Sequence, residues 1–165
     1  MKNILENVIE PALRVLPPMM TSDRARAQLL AVQAQEDPEQ VRRQIAGYRK
    51  DGTIIHGPAK GLWQFERTGV QGVLRHPRTR DHAKGVCWKL GNAGTVASVY
   101  HQLEHDDVLA ACFARLNLWW LRGTLPGPGA AEEGWRQYLE AWNPGRPHPE
   151  TWPGNFRRAW EVVGW

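Results

Sequence analysis

A mainly helical chain with one small β-hairpin insertion, folded as a single domain around a buried central helix, is what this sequence predicts. Three observations carry that reading. Apolar residues recur at helical spacing through most of the chain. The stretch VLAACFARLNLWWL, from Val108 to Leu121, is apolar almost all round, the pattern of a helix enclosed on every side. Only one short run, Thr53 to Ile55, is β-branched and bounded by turn dipeptides, and no alternation of strands with crossover helices is present. At 165 residues the chain is long enough to bury a real core, and residues 1–165 are read as one domain.

Residues 1–18 read as an N-terminal packing helix, because Ile4, Leu5, Val8, Ile9, Ala12, Leu13 and Leu16 follow helical spacing. Pro11 either kinks it or starts a second short turn, and Pro17-Pro18 ends it. From Thr21 to Pro38 a second helix is expected, capped by Thr21, Ser22 or Asp23 and stopped soon after Glu36 by Pro38. Glu39 to Tyr48 reads as a further helical segment with Val41, Ile45 and Tyr48 on its apolar side. The run from Arg49 to Gly61 then changes character. Asp51-Gly52 marks a turn, Thr53, Ile54 and Ile55 favour strand, and Gly57-Pro58 ends it, which predicts a small hairpin or flap. GLWQFE, Gly61 to Glu66, leads into a stretch punctuated by Gly69 and Gly72, read as a loop or an interrupted helix. Val96, Val99, Tyr100 and Leu103 predict a helix between Asn92 and Glu104, and Asp106 or Asp107 caps the central helix that Gly123 closes. After the loop TLPGPGAAEEG, Trp135, Tyr138, Leu139 and Trp142 share one helical face. The segment NPGRPHPETWPG is too rich in proline for regular structure, and Phe156, Ala159, Trp160 and Val163 define a last short helix.

Composition narrows the function classes. Hydrophobic residues at 42% place the chain among globular proteins. The formal charge of +4 suits an anionic partner such as lipopolysaccharide or cell wall, but acids and bases are interleaved with no Lys/Arg run, so no nucleic-acid partner is expected. Cys87 and Cys112 come with no CxxC and no His pair at ligand spacing, so the expectation is free thiols, no metal and no cofactor. The opening stretch is broken by Glu6, Asn7, Glu10 and Pro11 and lacks the apolar core of a signal peptide, and nothing approaches a membrane span. Nine Trp against three Tyr and three Phe supply wide flat rings for core packing or for stacking on sugars and bases.

The chemistry centres on Glu36. Ala25, Leu29, Val32 and Glu36 fall on one face of their helix, so the carboxyl ends an apolar stripe. Stripped of water there, it would hold its proton toward neutral pH, as a general acid must; bent outward from a frayed last turn, it would be an ordinary surface glutamate. An acid on an apolar face, a Gly-rich aromatic segment downstream and many indoles form the mixture that binds sugar polymers. Cleaving a glycosidic bond needs a carboxylic acid held neutral, with or without a second carboxylate.

AQLLAVQAQE followed by HGPAKGLWQFE resembles the lytic transglycosylase and goose-type lysozyme superfamily. It is most similar to a phage and prophage lysozyme-like group whose helix ends in QES and is followed by GPARGFWQFE. LEHDDVLAACFARLNLWW, WRQYLEAW and NPGRPHPETWP extend the likeness over most of the chain. The resemblance implies an α+β lysozyme-like fold that cleaves the bond between N-acetylmuramic acid and N-acetylglucosamine in peptidoglycan, acting as a monomer on glycan strands of the bacterial wall or carried in a virion. It makes Glu36 the general acid and puts Gly61, Leu62, Trp63 and Gln64 in the cleft wall. Tyr138 becomes the aromatic hydroxyl facing the acid, or else packs with Trp135 and Trp142. Trp63 and Phe65 fit core or cleft. Glu66 joins the substrate-binding set, and Asp51 and Glu66 are the candidate second carboxylates, although Asp51 suits a turn and Glu66 suits anchoring through Arg42 or Arg43. Two departures stand out: Asp37 replaces the Ser that usually follows the acid, and an extra hairpin lies around Arg49 to Ile55. Asp37 would either raise the acid's pKa by repulsion or mark an inactive, wall-binding virion protein.

Overall fold

The computed structural model describes residues 1–165 as eight helices and one two-stranded antiparallel sheet. Helix α1 runs through Lys2–Ile4, a wider π-helical stretch Leu5–Ile9, and Glu10–Val15. Pro11 sits in the first turn of the last piece, where its missing N–H is tolerated. Pro17 and Pro18 lead through a 3₁₀ turn, Pro18–Met20, to α2, Asp23–Glu36. Of the three possible caps Ser22 serves, its hydroxyl accepting from the Ala25 amide at 3.1 Å.

Helix α2 is more deeply enclosed than a one-face pattern predicts. Ala25, Leu29 and Val32 are buried as expected, and so are Ala27, Gln28, Leu30, Ala31 and Gln33 on its other sides. The segment expected to form the next helix does not. Residues 39–42 are irregular, and β1, Arg43–Tyr48, pairs antiparallel with β2, Ile54–Lys60, so the hairpin is larger than its Asp51-Gly52 turn implied. The physical reason lies beside Glu36. The Asp37 carboxylate accepts the Val41 and Arg42 amides, each at 2.9 Å, and Gln40 and Arg42 adopt left-handed backbone, which no helix can include. The strands pair Ile45 with His56, Gly47 with Ile55 and Tyr48 with Ile54, with irregular steps on either side of Ile45.

The remaining helices are α3 Arg67–Arg75, α4 Arg80–Lys89, α5 Val96–Gln102, α6 Asp107–Trp119, α7 Ala131–Trp142 and α8 Trp152–Val163. Helix α3 runs uninterrupted through Gly69 and Gly72. Asp106, not Asp107, caps α6 through the Leu109 amide, and residues 109–118 of α6 are all buried, as expected of a central helix. Helix α8 begins at Trp152, inside the proline-rich stretch, and packs along α2. Its approach depends on Gly134 of α7, where a Cβ would meet the Phe156 ring at 2.7 Å. One contiguous core of 36 buried residues runs from Ile4 to Trp160. Cys87 and Cys112 are free thiols within it, both pushed above the usual thiol range by burial. No helix is long and apolar enough to cross a membrane.

Candidate active site

Glu36 is the last residue of α2 and Tyr138 lies mid-way along α7, and the fold brings them together: the Tyr138 hydroxyl donates to Glu36 Oε1 at 2.6 Å. Tyr138 is 2% exposed. Its ring stacks on Trp152 at 5.3 Å and 15° and on Trp142 at 6.3 Å and 27°, and Trp135 tilts against it at 5.2 Å. A phenol held by indoles on several sides has almost no rotational freedom, so its hydroxyl is a fixed donor. Burial, reinforced by the facing carboxyl, pushes its own ionisation well above the phenol range, so it stays protonated.

Glu36 keeps some contact with solvent but is largely enclosed. Burial pushes its carboxyl up to about 7; the Tyr138 hydrogen bond pulls the other way and the Asp37 charge adds to the rise. Desolvation is the largest of the three, so a substantial share of the group keeps its proton at neutral pH, with the Tyr138 hydroxyl a defined donor to one oxygen. It is not the outward-bent surface glutamate that a frayed helix end would give.

Asp37 has a separate task. It is 3% exposed, both carboxylate oxygens accept backbone amides of the following loop, and its own carbonyl accepts the Gln33 side-chain amide at 2.7 Å. Arg42 continues the chain of contacts with a two-pronged bond to Asp107 at 2.8 and 2.7 Å, tying the end of α2 to the start of α6. Asp37 thus fixes the end of the acid's helix and supplies a nearby negative charge.

The GLWQFE segment is a tight turn bonded to both of the helices that carry this pair. Gly61 has φ +74°, and a Cβ there would fall 2.6 Å from the Leu103 carbonyl, so only glycine fits. Gln64 also adopts left-handed backbone, and its side chain donates to the Gly61 carbonyl at 2.9 Å, holding the turn itself. Leu62 and Trp63 are 0% exposed and Phe65 3%, so all three are core residues and offer no face to a ligand, contrary to the cleft-wall expectation for Leu62 and Trp63. The rings face inward because Trp63 Nε1 donates to the Leu29 carbonyl of α2 at 3.0 Å, while the Trp63 carbonyl accepts from Trp142 Nε1 at 2.9 Å. Trp63 therefore joins the acid's helix to the tyrosine's helix.

Neither candidate second carboxylate reaches the acid by any hydrogen bond. Asp51 is exposed at the hairpin turn, where it accepts the Thr53 amide at 2.9 Å and is held below the usual carboxylate range by that bond. Glu66 is exposed ahead of α3, and the anchoring expected through Arg42 or Arg43 is not present: Arg42 pairs with Asp107, and Arg43 with Glu104. No group of three His, Cys, Asp or Glu side chains converges to hold a metal.

Sequence reading missed Gln35. Its amide donates to the His148 carbonyl at 2.9 Å, and its oxygen accepts from Thr151 and Asn155, each at 3.0 Å, so it fastens the proline-rich segment beside Glu36. Three glutamines on one helix were the only available signal, and Gln35 is not among the two that are buried, so its partners are set by the packing of residues 148–155. Two surface concavities, of about 650 and 470 Å³, are lined by neither Glu36 nor Tyr138. Comparisons with protein-family models, with curated proteins and with solved structures find no match to this chain.

Proposed function

We propose that this chain is a peptidoglycan-cleaving glycosidase of lysozyme or lytic transglycosylase type, encoded by a phage or prophage for host lysis or wall penetration, with Glu36 as its general acid. The observation that carries the reading is the Glu36–Tyr138 pair: a carboxyl pushed up to about 7 by burial and held at 2.6 Å by a fixed phenol. Protonated Glu36 donates to the oxygen between N-acetylmuramic acid and N-acetylglucosamine as that bond breaks. The oxocarbenium-like sugar is then captured by water, or by the muramic acid's own 6-hydroxyl to leave a 1,6-anhydro end, and the nucleophile's proton passes to the Glu36 carboxylate, restoring the acid. Capture by the 6-hydroxyl needs no second enzyme carboxylate. It fits a site in which Asp51 and Glu66 are not bonded to the acid and Asp37 is committed to loop amides. The alternative, an inactive wall-binding virion protein, rests on Asp37 in place of Ser; the Asp37 charge, the smallest of the three influences on Glu36, favours the protonated acid and so supports the enzymatic reading.

The test is mass analysis of soluble fragments released from purified peptidoglycan by the wild-type chain and by Glu36→Gln. The proposal expects fragments with 1,6-anhydro ends from the wild type and none from the variant. Equal release by both, or none by either, would remove the enzymatic reading.

A further inference from the structure

The hairpin carries the chain's charge and most of its exposed aliphatic surface. Residues 41–60 hold five Lys or Arg (Arg42, Arg43, Arg49, Lys50 and Lys60) against Asp51, an excess of four that equals the net charge of the whole protein. Arg42, Arg43 and Lys60, at the base, are spent on Asp107 and Glu104, which root the hairpin on the helical body. Arg49 and Lys50, at the tip, are exposed and make no ion pair.

Five of the eight large hydrophobic residues left exposed on the protein lie on or next to this hairpin: Val41, Ile45, Tyr48, Ile54 and Ile55, the most exposed being Tyr48 at 66%. Opposed residues of an antiparallel pair share a face. Tyr48 pairs with Ile54 and Ile45 with His56, which is two residues from Ile54, so Ile45, Tyr48 and Ile54 form one apolar stripe behind the cationic tip.

Three occupants compete for such a surface. A second copy pairing along a strand edge is opposed by the irregular register around Ile45, by Pro58 on β2 and by the repulsion of two cationic tips. A glycan offers hydroxyls and ring faces, which suit the tyrosine but leave branched aliphatics in water. An anionic bilayer surface satisfies all parts together: acyl chains receive the isoleucines, the headgroup layer suits Tyr48, and anionic lipids attract Arg49 and Lys50. We infer that the hairpin spanning Arg43 to Lys60 docks this protein on anionic lipid membranes by its apolar stripe and cationic tip. The inference is independent of Glu36.

The test is co-sedimentation of the full chain with vesicles of phosphatidylcholine alone and of phosphatidylcholine mixed with phosphatidylglycerol, at fixed moderate salt. Binding is expected only to the mixed vesicles. Arg49→Gln with Lys50→Gln should weaken it roughly thirtyfold, at about fivefold per cation. Tyr48→Ser with Ile54→Ser should also weaken it, whereas the exposed pair Arg75→Gln with Lys84→Gln, outside the hairpin, and Glu36→Gln should leave it as in the wild type. Unchanged thermal unfolding of each variant shows that the fold is kept. Equal binding to both vesicle types, no binding to either, or an equal loss in the Arg75/Lys84 control pair would overturn the inference. So would hairpin substitutions that abolish self-association, or retention on insoluble peptidoglycan, while sparing vesicle binding.

Discussion

Glu36→Gln should make the protein more stable at alkaline pH while leaving it little changed in acid. In the folded state the Glu36 carboxyl is raised from the ordinary 4.5 to about 7, chiefly by burial. Below the lower value both folded and unfolded chains carry the proton, and the group adds no pH dependence. Between the two values the unfolded chain ionises while the fold still holds the proton, so rising pH favours unfolding. Each unit takes about 1.4 kcal/mol from the folded state, and the whole interval takes ~3 kcal/mol. Above the upper value the folded protein carries a poorly solvated carboxylate and the loss is complete. Glutamine has the same shape, keeps an oxygen for the Tyr138 hydroxyl and never ionises. The assay is urea unfolding of both proteins at about pH 4 and about pH 8, followed by tryptophan emission. All other titrating groups cancel in the difference between them. The advantage of the variant should grow by ~3 kcal/mol from the acid to the alkaline condition. A difference that does not vary with pH would refute the burial-driven shift and, with it, the reason for calling Glu36 a poised acid.

Three further outcomes follow from the same geometry. Tyr138→Phe removes the donor that favours the Glu36 carboxylate, so the acid's pKa should rise by about one unit, and the alkaline limb of any peptidoglycan-cleaving activity should move up with it. Asp37→Ala strands the Val41 and Arg42 amides. Hydrogen exchange at those two positions should become fast, with stability falling by about 2–3 kcal/mol in urea unfolding. Trp63→Phe keeps a ring in the core but loses the indole bond to the Leu29 carbonyl and leaves a cavity where the larger ring system packed, and should cost about 1–3 kcal/mol of stability by thermal or urea unfolding.

What the sequence disclosed follows from how local each cause is. The central helix was legible because apolar residues on every side of a run leave it nowhere but the interior, and Ser22 and Asp106 were legible as caps because capping is settled within three residues. The strand Arg43–Tyr48 was misread as helix because Val41, Ile45 and Tyr48 fall at spacings of four and three, while the contacts that forbid a helix there come from the Asp37 side chain. Helix α4 escaped notice because its buried side is made of the small Ala83, Val86 and Cys87, beside a Trp88 that is 83% exposed. At the site, helical spacing placed Glu36 at the end of an apolar stripe and Tyr138 on an apolar face, but it was the resemblance of the surrounding motifs that singled them out as acid and facing hydroxyl. The inward aim of Trp63 and the clasp of Gln35 on residues 148–155 depend on partners far along the chain, and a single helix or turn cannot reveal them.

The central claim is that Glu36 holds a transferable proton near neutral pH, and titrating that one carboxyl tests it most directly. With carbon-13 placed in the glutamate side-chain carboxyls, the Glu36 resonance is identified by its loss in Glu36→Gln and followed from acid to alkaline pH. The account predicts a midpoint at about 7. A midpoint at the ordinary 4.5 would contradict it.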